Sequence, residues 1–222
     1  MKILVKFPSR SRPEQFLKTL QGWIDLADNP ADIAFLVSYD ADDATMTDDV
    51  IARAKALHPA VMCVKGNSKS KVEAINCDIE KYYQGSDIIL VISDDMWCRR
   101  RGWDNVIRNA MLKSFPDTDG SLWIFDNSQR RINTIPCFGR KFYERTKYIY
   151  HPSYFSLWCD NEQTEVGLKL LKLVFVETTV ATHEHHSWGK GMQKDALYAK
   201  NDQYWSIDKE NFLRRRDLGF PA

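Results

Sequence analysis

The amino-acid sequence predicts an α/β protein whose mostly parallel central sheet is flanked by helices. Over about 115 residues the N-terminal part alternates four times between a short β-rich run and a helical pattern. Helical crossovers between parallel strands give this alternation. The fourth β-rich run, residues 88–92, is continuously apolar, which is typical of a strand buried on both faces.

The first two units each carry their own signals. Residues 2–7 are β-rich and stop at Pro8. The SRPE segment at 11–14 then predicts a capping box with proline in the first helical turn. Residues 34–39 predict the second strand, and residues 47–57 predict a helix.

The next two units follow the same order. Residues 61–64 predict the third strand, and the SKVE segment at 70–73 predicts a second capping box. The helix that it opens should bury Val72, Ile75 and Ile79. After the apolar strand at 88–92, residues 103–111 predict the fourth helix.

The second half is less regular. Residues 122–125 and 173–181 predict strands, and residues 162–171 and 208–216 predict helices. Residues 126–160 contain prolines, a glycine and many aromatic residues, and they predict loops and short elements.

Composition narrows the possible classes. The 222 residues are 44% hydrophobic and 27% charged, which is ordinary for a globular protein and excludes a mainly disordered or collagen-like chain. The five cysteines are widely spaced without a CxxC pair, so we expect reduced thiols and a cytoplasmic protein. No leader and no membrane span are expected, because the longest apolar runs are far too short. The net charge of +1 leaves nucleic-acid binding to local patches.

Polar side chains follow each of the first four strands. They include Ser9 and Arg10, then Asp40, then Asn67, and finally Asp94 and Asp95. Ligands of open α/β sheets bind beyond the carboxyl ends of the strands, so these groups should meet at one edge. Such a mixture of carboxylates and cations suits a metal ion and a phosphate.

The usual phosphate-binding loops are missing from the sequence. It has no GxGxxG, and residues 66–71 do not form a GxxxxGK[ST] loop. This argues against a nicotinamide dehydrogenase and a P-loop NTPase. A bound diphosphate would instead need a divalent cation, for which the Ser93-Asp94-Asp95 strand end is suited. The alternative for these aspartates is an ordinary turn or helix cap.

Five segments occur in an informative order. They are PSRSRP at 8–13, SYDADD at 38–43, NSKSKVEAIN at 67–76, ISDDM at 92–96 with GWD at 102–104, and DNE at 160–162. Across residues 1–190 these segments resemble the GT-A glycosyltransferases, especially the family 2-like branch. The sequence departs from the D-x-D pattern of that family, because Ser93 stands at its first position.

The resemblance implies one GT-A-like domain over residues 1–222. Its parts would be a nucleotide-sugar-binding half (1–115), an acceptor-binding and catalytic half (116–190) and a C-terminal helical tail (191–222). It implies transfer of a sugar, with inversion, from a UDP-sugar or similar donor, with Mn²⁺ or Mg²⁺ as cofactor. The implied donor-binding residues are Pro8, Ser9, Arg10, Arg12, Asp40, Asn67, Lys71, Asp94 and Lys190.

The resemblance also implies a metal ligand and a base. Asp95 is the expected metal ligand, and a histidine from the HEHH segment at 183–186 would complete the site, with His185 favoured narrowly over His183. Asp160 is the first candidate for the catalytic base and Glu162 the second. Capping of a helix N-terminus is the structural alternative for this acidic pair.

The acceptor should be bound by residues 96–160, where cations and aromatic rings alternate. The candidates are Trp97, Arg99, Arg100 and Trp158. Cations neutralise phosphates and rings stack on unpaired bases, so DNA is the leading acceptor. Similar small transferases occur in bacteriophages, and some of them glycosylate hydroxylated or hydroxymethylated pyrimidines in their own DNA. A protein, saccharide or small-molecule acceptor stays open.

Three other functions remain as alternatives. A sugar-1-phosphate nucleotidyltransferase uses a similar sheet, but it normally has a glycine-rich loop after the first strand, and none is present here. A nucleic-acid-binding module without catalysis would have no need for Asp40, Asp94, Asp95 and Asp160 near one edge, because carboxylates repel phosphate. Residue types alone do not exclude a catalytically inactive GT-A domain.

Overall fold

The computed structural model describes residues 1–184 and 195–221, and its centre is a mostly parallel sheet. The strands of this sheet are β1 (Ile3–Pro8), β2 (Ile33–Asp40), β3 (Val61–Gly66), β4 (Ile88–Val91), β6 (Ser121–Ile124), β7 (Pro136–Gly139) and β8 (Leu173–Val176). A separate two-stranded sheet pairs β5 (Met96–Cys98) with β9 (Ala181–His183). The predicted α/β class is confirmed.

Helices flank the sheet. In the described residues they are α1 (Pro13–Asp25), α2 (Asp48–Leu57), α3 (Lys71–Asn76), α4 (Ile79–Tyr82), α5 (Trp103–Ser114), α6 (Arg140–Glu144), α7 (Cys159–Lys169), α8 (Ala196–Asp202) and α9 (Trp205–Asp217). Within this part of the chain, none of them is long and apolar enough to cross a membrane.

The strand order is β3-β2-β1-β4-β7-β6-β8. Strands β1 to β4 pair in parallel, as predicted, and β6 pairs in parallel with β8. Strand β7 runs antiparallel to both of its neighbours, β4 and β6. Residues 126–160 hold loops and short elements, as predicted. One of these elements is β7, which the sequence did not single out because Pro136 and Gly139 also suggest turns, although all four of its residues are buried.

Two apolar layers cover the faces of the sheet. Alternate residues of β1 point to opposite layers, with Val5 in one and Leu4 in the other. Phe16 and Trp23 of α1 pack in the first layer, whereas Phe212 of α9 packs in the second. The C-terminal helix is therefore part of the core that supports the sheet.

The two predicted capping boxes have different outcomes. At the second, the Ser70 hydroxyl accepts the Glu73 amide N–H at 3.0 Å. The Glu73 carboxylate, however, accepts from the Lys69 amide rather than from Ser70. At the first, the prediction was wrong. Arg12 is the N-cap without a side-chain cap bond, because Ser11 has φ 62° and its amide N–H donates instead to Asp43.

The predicted strand at 173–181 divides into two strands. Strand β8 ends at Val176, and β9 leaves the main sheet to pair with β5. In this pairing Met96 lies opposite His183, and the Asp95 carbonyl accepts the Glu184 amide N–H at 2.9 Å. Because β9 pairs with β5 instead of with the main sheet, His183 lies next to the aspartates that follow β4.

A buried aspartate of α9 holds the loop that precedes α7. The Asp208 carboxylate is fully buried and accepts the amide N–H groups of Phe155, Ser156 and Leu157 at 2.8–2.9 Å. These three hydrogen bonds to one carboxylate hold α9 against the loop at 155–157.

Replacing this carboxylate should weaken the fold. Asp208→Ala leaves three buried amide donors without their acceptor, and we expect a loss of about 2–4 kcal/mol, which lowers Tm by roughly 5–15 °C. Thermal unfolding followed by circular dichroism measures this change. Glu210→Gln, an exposed change on the same helix, is the control and should leave Tm unaltered. Equal Tm values for the two variants would contradict the role given to Asp208.

Candidate active site

One cavity lies beyond the carboxyl ends of β1, β2 and β4, where open α/β sheets bind ligands. It brings together ten of the residues that the sequence singled out: Pro8, Ser9, Arg10, Arg12, Asp40, Lys71, Asp94, Asp95, Asp160 and His183. Asp40, Asp95 and Asp160 thus share a cleft, although they are far apart in sequence.

The wall after β1 and β2 is held by charged pairs. One Asp40 carboxylate oxygen accepts the Ser68 amide N–H at 2.7 Å, and the other lies 3.0 Å from Arg10 Nη1. Arg10 also binds Asp42 through two hydrogen bonds of 2.6 and 2.8 Å. Asp40 is therefore fixed in orientation and lies at the cavity wall.

Arg12 connects three parts of the site. Its Nη1 lies 2.8 Å from Asp94 Oδ1, and its Nε lies 2.7 Å from Asp195 Oδ2. Its Nη2 and the Ser9 hydroxyl are buried, and neither has a hydrogen-bond partner among residues 1–184 and 195–221. Buried polar atoms normally have partners, so these two positions suit a polar ligand.

The pKa values of the two aspartates after β4 are shifted in opposite directions. Burial, followed by the charge of Asp95, raises the pKa of Asp94 despite the opposing effect of Arg12. Burial also opposes ionisation of Asp95, but the charge of His183 and hydrogen bonds from His183, Ser93 and Tyr198 outweigh it. The pKa of Asp95 is thus held well below its usual range, whereas that of Asp94 is raised.

Asp95 and His183 have the separation expected of two ligands of one cation. His183 Nε2 lies 3.5 Å from Asp95 Oδ2. Two adjacent ligands at about 2.1 Å from an octahedral ion lie roughly 3 Å apart, which is close to this value. In the described part of the chain no three His, Cys, Asp or Glu side chains form a metal-binding group by themselves. Carboxylate and imidazole fit Mn²⁺ or Mg²⁺ if phosphate and water supply the other ligands.

Asp160 lies in the first turn of α7 and lines the cavity. Desolvation raises the pKa of its carboxyl group, while the charge of Lys71 and, more weakly, that of His183 act in the opposite direction. A carboxylate with a raised pKa beside a ligand cavity is a candidate for a general base.

Glu162, the second candidate for the base, lies elsewhere. Its carboxylate receives two 2.8 Å hydrogen bonds from Arg215 and one of 2.6 Å from the Tyr154 hydroxyl, and it lines a different cavity. Residues two apart on a helix point about 200° away from each other, so Asp160 and Glu162 face opposite sides. The structure therefore does not bring Glu162 to the site.

The remaining candidates that fall within the described residues do not line the cavity. Asn67 is exposed at the surface. Arg99 bonds Glu184 and Thr182, Trp97 lies on β5, and Arg100 is exposed. Trp158 packs against Trp205 and Phe212. His185 and Lys190 lie outside the described residues.

The sequence analysis missed the contribution of α8. The Tyr198 hydroxyl donates a 2.7 Å hydrogen bond to Asp95 Oδ2, and the Arg12 guanidinium lies 4.2 Å from the centre of the Tyr198 ring. Asp195 caps α8 and holds Arg12. A polar tail contains no spacing signal for this docking, since its contacts depend on the tertiary fold.

Several solved structures have a fold similar to that of this chain. A mannosyltransferase from Pyrobaculum calidifontis, solved with GDP-Man and Mn²⁺, aligns with a TM-score of 0.67 at 16% identity, covering 96% of this chain and 61% of that protein. S. aureus TarS with UDP-GlcNAc aligns with a TM-score of 0.63 at 11% identity, over 94% of this chain and 66% of TarS. Glucosyl-3-phosphoglycerate synthase from Mycobacterium tuberculosis, with Mn²⁺, UDP and phosphoglyceric acid, gives 0.63 at 13%, over 100% and 80%.

The chain therefore has the GT-A fold of nucleotide-sugar glycosyltransferases. It spans about three fifths of the mannosyltransferase. No family model and no curated protein matches the sequence.

Proposed function

We propose that the protein is a glycosyltransferase that moves a sugar from a nucleotide-diphosphate sugar to an acceptor hydroxyl. The convergence of Asp40, Asp95 and Asp160 in one cavity of a GT-A fold carries this proposal. The similar structures that hold GDP-Man, UDP-GlcNAc or UDP support it.

The donor would lie along the carboxyl ends of the strands. Asp40 accepts hydrogen bonds at the end of β2, so it would bind the N–H groups of the base, with UDP as the favoured nucleotide. The Ser9 hydroxyl and Arg12 Nη2, which have no hydrogen-bond partner in the described residues, would bind oxygens of the ribose and the diphosphate. The Lys71 ammonium group would bind the same oxygens. Arg12 also shields Asp94 from the donor's negative charge.

Asp95 and His183 would hold Mn²⁺ or Mg²⁺. When bound, the cation would neutralise charge on the leaving diphosphate. The hydrogen bonds from Ser93 and Tyr198 lower the pKa of Asp95 and so favour its ionised form.

Asp160 would act as the base of an inverting transfer. An acceptor hydroxyl that enters the cavity would donate its proton to this carboxylate while its oxygen attacks the anomeric carbon of the sugar. The bond from this carbon to the diphosphate would break, and the nucleoside diphosphate would leave with the bonding electron pair. The raised pKa of Asp160 brings the carboxylate closer to the pH of the reaction and makes it a stronger base.

The structure gives less support to a DNA acceptor. Arg99 is engaged with Glu184, and Arg130 and Arg145 pair with Glu177 and Asp119. Arginines that are held by carboxylates offer little free charge to phosphates. We therefore do not extend the proposal to phage DNA.

A thermal-shift screen tests the proposed donor. UDP- and GDP-sugars are added with Mn²⁺, with Mg²⁺ or with EDTA, and one donor should raise Tm by several degrees only when the cation is present. UDP and GDP without a sugar show how much of the shift comes from the nucleotide. A screen in which no nucleotide sugar changes Tm, with or without metal, would contradict the proposal.

Removing the Tyr198 hydroxyl should strengthen metal binding. This hydroxyl donates to the Asp95 oxygen that faces His183, so an incoming cation competes with it. Tyr198→Phe is expected to tighten Mn²⁺ binding about three- to tenfold, which corresponds to one hydrogen bond. Mn²⁺ titration followed by electron paramagnetic resonance measures the affinity, and Tyr204→Phe is the control. Weaker binding in Tyr198→Phe would show that the hydroxyl supports the metal site instead.

A further inference from the structure

A cluster of three aromatic side chains, two of them exposed and one half-buried, lies beside the cavity. We call Phe155, Tyr204 and Trp205 the aromatic platform. Phe155 is 41% exposed and Trp205 is 54% exposed, and the rings of Phe155 and Tyr204 stack with centres 4.8 Å apart and planes 13° apart. Large exposed apolar groups that lie together often mark a binding surface.

The platform is rigidly supported. The Phe155 amide N–H donates to Asp208, and the Phe155 carbonyl accepts the Val72 amide N–H at 3.1 Å. Trp205 packs edge to face on Trp158 with ring centres 5.2 Å apart. The rings are held in place before any ligand arrives, which reduces the entropic cost of binding.

The platform continues into the wall of the cavity. Tyr204 lines the cavity together with Ser156 and Leu157, which directly follow Phe155. Asp160 lines the same cavity three residues further along the chain from Leu157. A molecule that stacks on the platform would therefore lie at the mouth or wall of the cavity that the proposed base also lines.

The charges around the platform indicate what kind of molecule stacks there. Among residues 200–210 the charged side chains that are not buried are Lys200, Asp202, Lys209 and Glu210, so two cations are balanced by two anions. The Lys209 ammonium lies 5.8 Å from the centre of the Trp158 ring and is engaged with it. A nucleic acid favours a surface with an excess of cations for its phosphates, and this segment has no such excess. A sugar ring instead offers C–H faces to aromatic rings and hydroxyl groups to mixed polar neighbours.

From these observations we propose that the aromatic platform binds a pyranose ring of a saccharide acceptor. The inference rests on the proposed glycosyltransferase function, and it names the acceptor class that this function left open. It also moves acceptor binding from Trp97, Arg99 and Arg100 to the surface formed by α9 and the loop before α7.

The test measures binding of saccharides without any donor. Cellobiose, chitobiose, mannobiose and a twelve-nucleotide single-stranded DNA are titrated into the full chain by calorimetry at moderate salt. At least one disaccharide should bind with millimolar affinity, and Trp205→Ala and Phe155→Ala should each weaken it at least tenfold. Ile207→Ala, which removes a 55% exposed side chain on the same helix, should leave binding unchanged.

Three outcomes would overturn the inference. They are binding of none of the disaccharides, disaccharide binding that Trp205→Ala leaves intact, and DNA binding that depends on Trp205. Circular dichroism of each variant separates loss of binding from loss of fold. The donor thermal-shift screen is an independent test. If a donor raises Tm but none of the disaccharides binds, the proposed function stands and only this inference fails.

Discussion

Asp160→Asn should abolish sugar transfer while leaving donor binding intact. The amide keeps the size of the side chain but cannot accept the proton of the acceptor hydroxyl at neutral pH. General-base catalysis contributes about 10²–10⁴-fold, so the rate should fall by at least a hundredfold. The rate of nucleotide release in the presence of acceptor measures transfer, and calorimetry with the donor measures binding. Transfer at the wild-type rate would exclude Asp160 as the base.

Asp160→Asn should also change how the stability of the fold depends on pH. Because the pKa of Asp160 is raised in the folded state, its contribution favours folding at low pH and is lost as pH rises through the raised pKa. At pH 7 the ionised group is a cost that asparagine removes, so Tm should not fall. Glu162→Gln is the matched control. It breaks the buried pair with Arg215 and should cost about 3–5 kcal/mol, yet it should retain transfer at temperatures where the protein is folded.

Asp95→Asn should remove the dependence of donor binding on Mn²⁺. The amide lacks the negative charge that holds a cation beside His183, and we expect donor affinity in Mn²⁺ to fall about a hundredfold, to the level measured in EDTA. Calorimetric titration of donor into each variant with and without Mn²⁺ measures the loss. Asp117→Asn, an exposed change outside the cavity, is the control. Donor affinity that is the same with and without Mn²⁺ in the wild type would argue against a metal site.

Much of the fold follows from local patterns. The alternation of strands and helices in the first half and the buried strand after residue 87 predict the parallel core, because hydrophobic spacing determines which faces are buried. Strand β7 was missed since its proline and glycine also fit a turn. The path of β9 was missed because the β-branched Thr178 and Thr179 extend the strand pattern beyond Glu177, although β8 ends just before this polar residue.

The site is predictable to the extent that the sheet determines it. Residues after β1, β2 and β4 must meet at one edge, and Ser9, Asp40 and Asp95 do so. The docking of the tail is a tertiary event, so Tyr198 on Asp95 and Asp208 on the loop at 155–157 could not be read from spacing. Helical geometry alone, by contrast, excludes a shared role for Asp160 and Glu162.

Crystals grown with a UDP-sugar and Mn²⁺, measured at the manganese absorption edge, test the central idea most directly. We expect one anomalous peak within about 2.6 Å of Asp95 and His183, in contact with the donor's pyrophosphate, and the nucleobase next to Asp40. A donor bound with no cation between those two side chains and its phosphates, or bound outside this cleft, would contradict it.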